Sequence, residues 1–198
     1  MQTEQTGNLL EIQPIDETLA REIYKNSMQR DFPAQELRPL RGMLSLYKKG
    51  LYSGLAAYSE GALVAYAFFG GKPGAESLLL DYYAVQPNVR GQGVGGRFLK
   101  QIQQALGQSS LLIEAENPAA ATDENERATR AARVRFYEHA GATDLHLRWL
   151  LFGVEYTVLH LPCAGGVPYN EEQAKHALRN VYHGLVPKHL PGYPRFLA

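Results

Sequence analysis

The chain has 198 residues, 45% of them apolar, with Lys+Arg and Asp+Glu both at 20 and a formal net charge of zero. This suits one globular domain with a sizeable core, and the charge balance argues against nucleic acid or a membrane surface as the main partner, since both select a basic face. The single Cys163 excludes an internal disulfide framework, no run approaches the ~18 apolar residues of a membrane span, and Met1 to Asn8 lacks a signal-peptide core, so a cytoplasmic protein is expected.

Residues 1–8 read as a flexible lead-in, and Leu9 to Ile12 as a short strand. Asp16 can cap a helix whose Ile15, Leu19 and Ile23 fall four apart on one face. Pro33 and Pro39 flank a short segment, and Leu40 to Lys49 predicts a helix closed by Gly50. Leu51 to Tyr58 and Ala62 to Phe69 predict a hairpin around Ser59-Glu60-Gly61. Gly70 to Gly74 is a second turn, followed by an apolar strand over 77–85.

A glycine-rich stretch, Arg90 to Gly96, then opens a helix in which Val94, Phe98 and Ile102 recur at spacing four. Leu111 to Glu116 predicts a buried strand ending at Asn117-Pro118, Ala119 to Asn125 a loop, and Arg127 to His139 a basic helix ending at Gly141. Leu145 to Leu151 and Val154 to Leu161 predict a final strand pair, which leaves a homodimer open. Pro162 to Pro168 breaks the pattern, Glu171 to His183 predicts a last helix, and Pro187 to Ala198 has three prolines and little periodicity. The expected organisation is a lead-in over 1–8, a domain over 9–161 and a C-terminal extension over 162–198. Strands interleaved with helices indicate an α/β or α+β sandwich.

The glycine stretch carries the strongest chemical signal. Strand, glycine loop and helix N-terminus together form a phosphate cradle, because the first helical N–H groups are unpaired and glycines let a ligand approach the backbone. The spacing is not that of a dinucleotide fingerprint, and Gly-Lys-Ser/Thr of a Walker loop is absent. No cluster of residues has metal-ligand spacing.

The segment Tyr83 to Gly95 resembles the acetyl-CoA-binding motif of the GNAT family of N-acetyltransferases, Arg/Gln-x-x-Gly-x-Gly/Ala, through Arg90, Gly93 and Gly95. Phe136-Tyr137-Glu138-His139-Ala140-Gly141-Ala142 resembles the family's Tyr-containing motif, with Ala142 in place of its final aromatic. The resemblance spans roughly residues 9–161. It implies a mixed, mostly antiparallel sheet flanked by helices, and acetyl-CoA as cofactor. By the same likeness Arg90, Gly91, Gln92, Gly93, Val94 and Gly95 would hold the pyrophosphate. Tyr83, Ala84 and Val85 would meet the pantetheine arm beside a β-bulge, and Asn117 would contact the arm. Tyr137 would lie near the sulfur and protonate the leaving thiolate.

The implied reaction is direct acetyl transfer to a primary amine of a small molecule or peptide. A carboxylate would take the amine proton, and Asp81, Glu114 and Glu116 are the candidates. Alternation puts Asp81 opposite Leu80 and Tyr82, and puts Glu114 and Glu116 on one face. Phe32, Glu36, Arg38 and Tyr52 are expected walls of the acceptor site. The Arg-rich stretch Arg127, Arg130, Arg133 and Arg135 could meet an acidic group or be a solvated helix face balanced by Asp123, Glu124 and Glu126. Tyr182, His183, His189, Tyr193 and Arg195 could close over the acceptor site, dock a partner subunit or form a loosely packed C-terminal strap. Cys163 reads as structural. The alternative to an enzyme is a non-catalytic acyl-CoA sensor or interaction module on the same fold.

Overall fold

The computed structural model describes residues 10–187, 192, 193 and 195–197. The expected lead-in over 1–8, and His189 of the tail, lie outside them. Strand β1 (Glu11–Pro14) is followed by α1 (Glu17–Ile23), a π-helical turn at Tyr24–Met28, α2 (Gln29–Asp31) and α3 (Leu40–Lys48). Strands β2 (Tyr52–Ser59), β3 (Ala62–Gly70) and β4 (Ser77–Val85) lead to α4 (Val94–Ala105) and β5 (Ser110–Glu116). Then come α5 (Glu124–His139), β6 (Thr143–Leu151), β7 (Val154–Pro162), α6 (Glu171–Leu185) and β8 (Arg195–Phe196).

The strands form one sheet in the order β1-β2-β3-β4-β5-β7-β6-β8. Among the described residues only the β4–β5 pair is parallel, and every other pair is antiparallel. The β2–β3 hairpin turns at Glu60 and Gly61, both with positive φ (52° and 76°), the backbone that matches the natural twist of paired strands. Among the described residues no helix is long and apolar enough to cross a membrane.

Each sheet face is covered. On one face α1, the π-helical turn, α3 and α6 bring Ile23, Met28, Met43, Leu178 and Tyr182 against Tyr52, Phe68, Leu79, Tyr82, Leu112 and Trp149. On the other, α4 and α5 bring Val94, Phe98, Leu99, Ile102 and Tyr137 against Phe69, Leu80, Leu111, Ile113 and Leu159. Burying one such side chain contributes about 1.5–3 kcal/mol.

The helix starts follow capping chemistry. Asp16 accepts from the Leu19 N–H at 2.8 Å, and Asp123 accepts from the Glu126 N–H at 2.8 Å, which starts α5 three residues ahead of the expected Arg127. Asn170 and Gln173 form a reciprocal capping box on α6. The first strand lies two residues later than expected. The tail, read as lacking periodicity, contributes β8, which pairs Phe196 with Trp149 and Arg195 with Leu150 on the outer edge of β6.

Candidate active site

The glycine loop sits where β4 hands over to α4. Gly91 and Gly93 have φ of +75° and +73°, a backbone region that costs any other residue strain. Gly93 is the N-cap of α4, and no side chain caps that end, so the first N–H groups of the helix are left open. Side chains that tie the loop down reach its carbonyls instead. Arg97 donates to Gln92 O at 3.1 Å, Gln92 to Asn88 O at 3.2 Å, Tyr83 to Gly95 O at 2.6 Å and Arg90 to Val85 O at 2.9 Å. Side chains take up these carbonyls while none caps the amides of the helix start, the polarity an anion requires. A Cβ added at Gly91 or Gly96 meets nothing within 4 Å, so the approach to the loop is open there.

Beside this loop the sheet splits. β4 and β5 pair only from Ser77–Ser110 to Leu80–Ile113. β4 continues to Val85 along β3, and β5 continues to Glu116 along β7. The stretch Asp81–Val85 therefore offers backbone groups on the β5 side with no strand partner there. The register of β3 against β4 shifts between Phe68, opposite Tyr82, and Phe69, opposite Leu80, so Asp81 is the extra residue of a β-bulge. A slot edged by free backbone groups and closed at one end by an amide cradle fits a phosphorylated, amide-containing arm such as that of acetyl-CoA. Its chemistry would be held by Tyr83, Ala84, Val85 and the loop from Arg90 to Gly95.

The bulge corrects the expected alternation. Asp81 does not lie opposite Tyr82. Both side chains turn to the α1–α3–α6 face, where Tyr82 joins the core and Asp81 meets Tyr52 and Arg38. The Tyr52 hydroxyl donates to Asp81 Oδ2, and Arg38 Nε lies 3.5 Å from the same oxygen. Burial is the largest single influence and works against the Arg38 charge, but Asp81 together with Tyr52, Tyr82 and Tyr182 outweighs it and keeps the guanidinium protonated. Tyr82 anchors the approach segment, donating to Glu36 O at 2.8 Å and accepting from the Arg38 N–H at 2.7 Å. Phe32 packs edge-on against Tyr82, 5.0 Å between ring centres. Phe32, Glu36, Arg38 and Tyr52 thus converge on the bulge.

Glu114 lies on the neighbouring strand, beyond the point where β4 and β5 part. The Tyr182 hydroxyl donates to its Oε2 at 2.6 Å, while Oε1 is buried without a partner. Burial, opposed by the Tyr182 bond and reinforced by the Asp81 charge, pushes the Glu114 carboxyl up to about 8. The Trp149 indole N–H faces the same carboxyl and favours its ionised form, but makes no hydrogen bond of ordinary geometry. Glu116 takes other partners, Arg130 and Arg133 of α5, each at 3.1 Å. It is therefore committed to an ion-pair network.

Tyr137 packs on the opposite face among Tyr83 and Phe136, at 6.3 and 5.1 Å between ring centres. Its burial pushes the phenol up to about 12, against a lowering influence from Arg133, so it is a donor at neutral pH. Tyr137 belongs to the α4–α5 face, whereas Glu114 is bonded by Tyr182, which belongs to the opposite face.

The remaining expectations fall as follows. Asn117 is buried, and its side chain is engaged within the protein: Oδ1 accepts from the Ala119 N–H at 3.0 Å and Nδ2 donates to Glu155. The Arg-rich helix is largely neutralised, Arg130 by Glu116 and Glu126 and Arg127 by Glu124. Cys163 is buried, with its thiol pushed up to about 11 by desolvation. Three residues of the site escape sequence reasoning. Tyr82 and Trp149 fall within expected strands and carry no motif of their own. Asp31 is a buried carboxylate that accepts from Tyr66 and Arg30 and lies 3.9 Å from Arg90. Its only sequence signal is an acid between Arg30 and Phe32 at the end of a helix.

Residues 52–141, which hold the hairpin, bulge, loop and Tyr137, match the family model described as an acetyltransferase (GNAT) domain. No curated protein matches the sequence. Among solved structures, a protein from Bacteroides thetaiotaomicron assigned to the GNAT family aligns with a TM-score of 0.68 at 18% identity, covering 87% of this chain and 96% of that one. A ribosomal-protein alanine N-acetyltransferase from Escherichia coli aligns at 0.58 and 19% identity, covering 82% and 97%. A spermidine N-acetyltransferase from Vibrio cholerae, in complex with CoA and spermine, aligns at 0.57 and 10%, covering 78% and 95%. At these identities the likeness is one of fold, and the match over residues 52–141, which hold the loop and the Tyr137 motif, is to an acetyltransferase (GNAT) domain.

Proposed function

We propose that the protein transfers an acetyl group from acetyl-CoA directly to a primary amine of a small molecule or peptide. Tyr137 is the proton donor and Glu114 the proton acceptor. The observation that carries this reading is a buried phenol, Tyr137, on one side of the sheet and, past the point where β4 and β5 part, a carboxyl, Glu114, held by buried Tyr182 from the other side, with burial raising the proton affinity of both. The named E. coli and V. cholerae neighbours both acetylate amines.

Bound acetyl-CoA supplies a thioester; the reaction forms an amide N–C bond, breaks the C–S bond and returns a thiol. The loop amides from Gly91 to Gly95 would bind the diphosphate, with Arg90 beside them. Glu114, pushed up to about 8, sits close to the ambient pH that suits a general base. Its Oε1 is the oxygen with no partner, and in the ionised carboxylate it receives the amine proton. Asp81 is less suited, because it is held by Tyr52 and Arg38; its charge raises the affinity of Glu114 for a proton. The Tyr137 hydroxyl gives its proton to the leaving sulfur. Positioned acid and base groups each contribute about 10²–10⁴-fold.

The test is a thiol-release assay with acetyl-CoA across a panel of polyamines, amino acids and short peptides, with acetylated product identified by mass spectrometry. Amine-dependent release supports the enzyme. Tight acetyl-CoA binding without release from any amine supports the sensor instead.

A further inference from the structure

We propose that Tyr182, on the C-terminal helix α6, is a positioning residue for Glu114, so that this helix completes the acceptor side of the site. The inference rests on the acetyltransferase reading above for its functional meaning. The matched domain ends at residue 141, and α6 begins at Glu171, so the contact comes from a segment outside that domain.

The geometry is specific. Tyr182 is 2% exposed and its ring packs 5.4 Å from that of Trp149, so its hydroxyl has little freedom. It donates to Glu114 Oε2 at 2.6 Å. Holding one carboxyl oxygen fixes the orientation of the other, and Oε1 is buried and unpartnered. A carboxyl anchored by one oxygen presents the second in a single direction, which is what proton transfer requires. The same helix reaches the site a second time. Arg38 Nη1 donates to Leu185 O at 3.2 Å, and Arg38 is the ion-pair partner of Asp81. Both carboxylates of the acceptor side are therefore tied to α6, one directly and one through Arg38.

The groups facing Glu114 come from five elements: Tyr182 from α6, Trp149 from β6, Asp81 from β4, Arg38 from the segment before α3, and Tyr156 from β7. Asp81 disfavours the Glu114 charge; Tyr182, Trp149 and Arg38 favour it. Tyr182 alone among these makes a hydrogen bond of ordinary geometry to the carboxyl. Losing it removes stabilisation of the ionised form without moving a formal charge.

The experiment is a titration of the Glu114 carboxyl in the full-length protein by carbon-13 NMR with labelled glutamate, assigned by the loss of its resonance in Glu114→Gln. Tyr182→Phe is expected to raise the Glu114 midpoint by roughly one unit or more, the size expected for a hydrogen bond to a charged group. Incorporation of 3-fluorotyrosine at position 182, which strengthens the donor and preserves the ring, is expected to lower it. In protein that turns over, the ascending limb of kcat/KM for the amine moves with the midpoint, and KM for acetyl-CoA stays within about twofold. An unmoved midpoint in both variants overturns the assignment, as does a rate loss equal at every pH. Absence of turnover in the unsubstituted protein strikes the acetyltransferase reading alone, because the titration does not depend on it.

Discussion

The hydroxyl of Tyr83 donates to the carbonyl of Gly95 at 2.6 Å, joining the free edge of β4 to the first turn of α4. Its ring stacks on Phe98 and tilts against Phe136, at 5.6 and 5.9 Å between centres. One side chain thus sets the distance between the slot and the amide cradle. Tyr83→Phe keeps the stacking and removes the tie. Loss of one neutral hydrogen bond corresponds to about 0.5–1.5 kcal/mol, so the Kd for acetyl-CoA, measured by calorimetry, should rise about two- to tenfold. An unchanged Kd would show that the tie does not shape the cradle.

Tyr137→Phe tests the proton donor. The ring environment of Tyr83 and Phe136 accepts phenylalanine without a change of shape. Turnover should fall by about 10²-fold or more, the scale of a lost general acid, while acetyl-CoA affinity changes by less than about threefold. A parallel fall in affinity and turnover would assign Tyr137 to binding.

Arg38 and Asp81 make a third test. Their side chains are 18% and 15% exposed, so Arg38→Met leaves a mostly buried carboxylate without its cation. Breaking such a pair costs about 3 kcal/mol. Urea unfolding at pH 7.5 should show that loss, and Arg38→Met combined with Asp81→Asn should recover at least half of it. No recovery would mean that Arg38 stabilises through its bond to Leu185 O and its packing rather than through the charge.

The parts of the site that were legible in the sequence are those whose geometry is set within a few residues. Gly91 and Gly93 need no distant partner to adopt positive φ, and Tyr137 is placed by the pattern of its own helix. What depends on long-range pairing was not legible. Alternation fails at Asp81 because a bulge depends on the partner strand, and nothing in Leu80-Asp81-Tyr82 itself announces the extra residue opposite Phe68 and Phe69. Glu114 and Glu116 look equivalent along β5, yet one is claimed by Tyr182, 68 positions away, and the other by two arginines of α5. Ranking carboxylates as bases requires knowing those partners. The same holds for Arg38, whose bonding partner Leu185 lies 147 positions on.

His160 gives a prediction independent of catalysis. It is buried, its Nε2 lacks a partner, and its ring stacks on Tyr169 at 4.4 Å. Desolvation lowers its pKa to about 4. Because the folded value lies below the unfolded one, near 6.5, the unfolded chain binds the proton more readily between these values. The stability this group contributes is therefore present above about pH 6.5 and is lost as pH falls toward 4. His160→Phe retains the stacking and removes the titration. Its acid unfolding midpoint should lie at lower pH than that of the parent, with the largest difference below pH 5. Superimposable acid limbs would mean that His160 gains a counter-charge on protonation.

Glu114 sets stability against function in the opposite pH range. Its folded pKa, about 8, lies above the unfolded value near 4.3, so the folded protein holds this proton more tightly. Stability from this group is full below about pH 4.3 and declines as pH rises through 8, because ionising a buried carboxyl opposes folding. Glu114→Gln keeps the shape and an oxygen for the Tyr182 hydroxyl, and it cannot ionise. Its thermal midpoint should match that of the parent near pH 5 and exceed it above pH 8, by an amount corresponding to a few kcal/mol at most, on the order of the linkage energy. Amine-dependent turnover should fall at least about 10²-fold in the same variant. A variant that gains nothing at high pH would place the raised proton affinity elsewhere. One that gained stability and kept its turnover would remove Glu114 as the base and leave Asp81 as the carboxylate nearest the bulge.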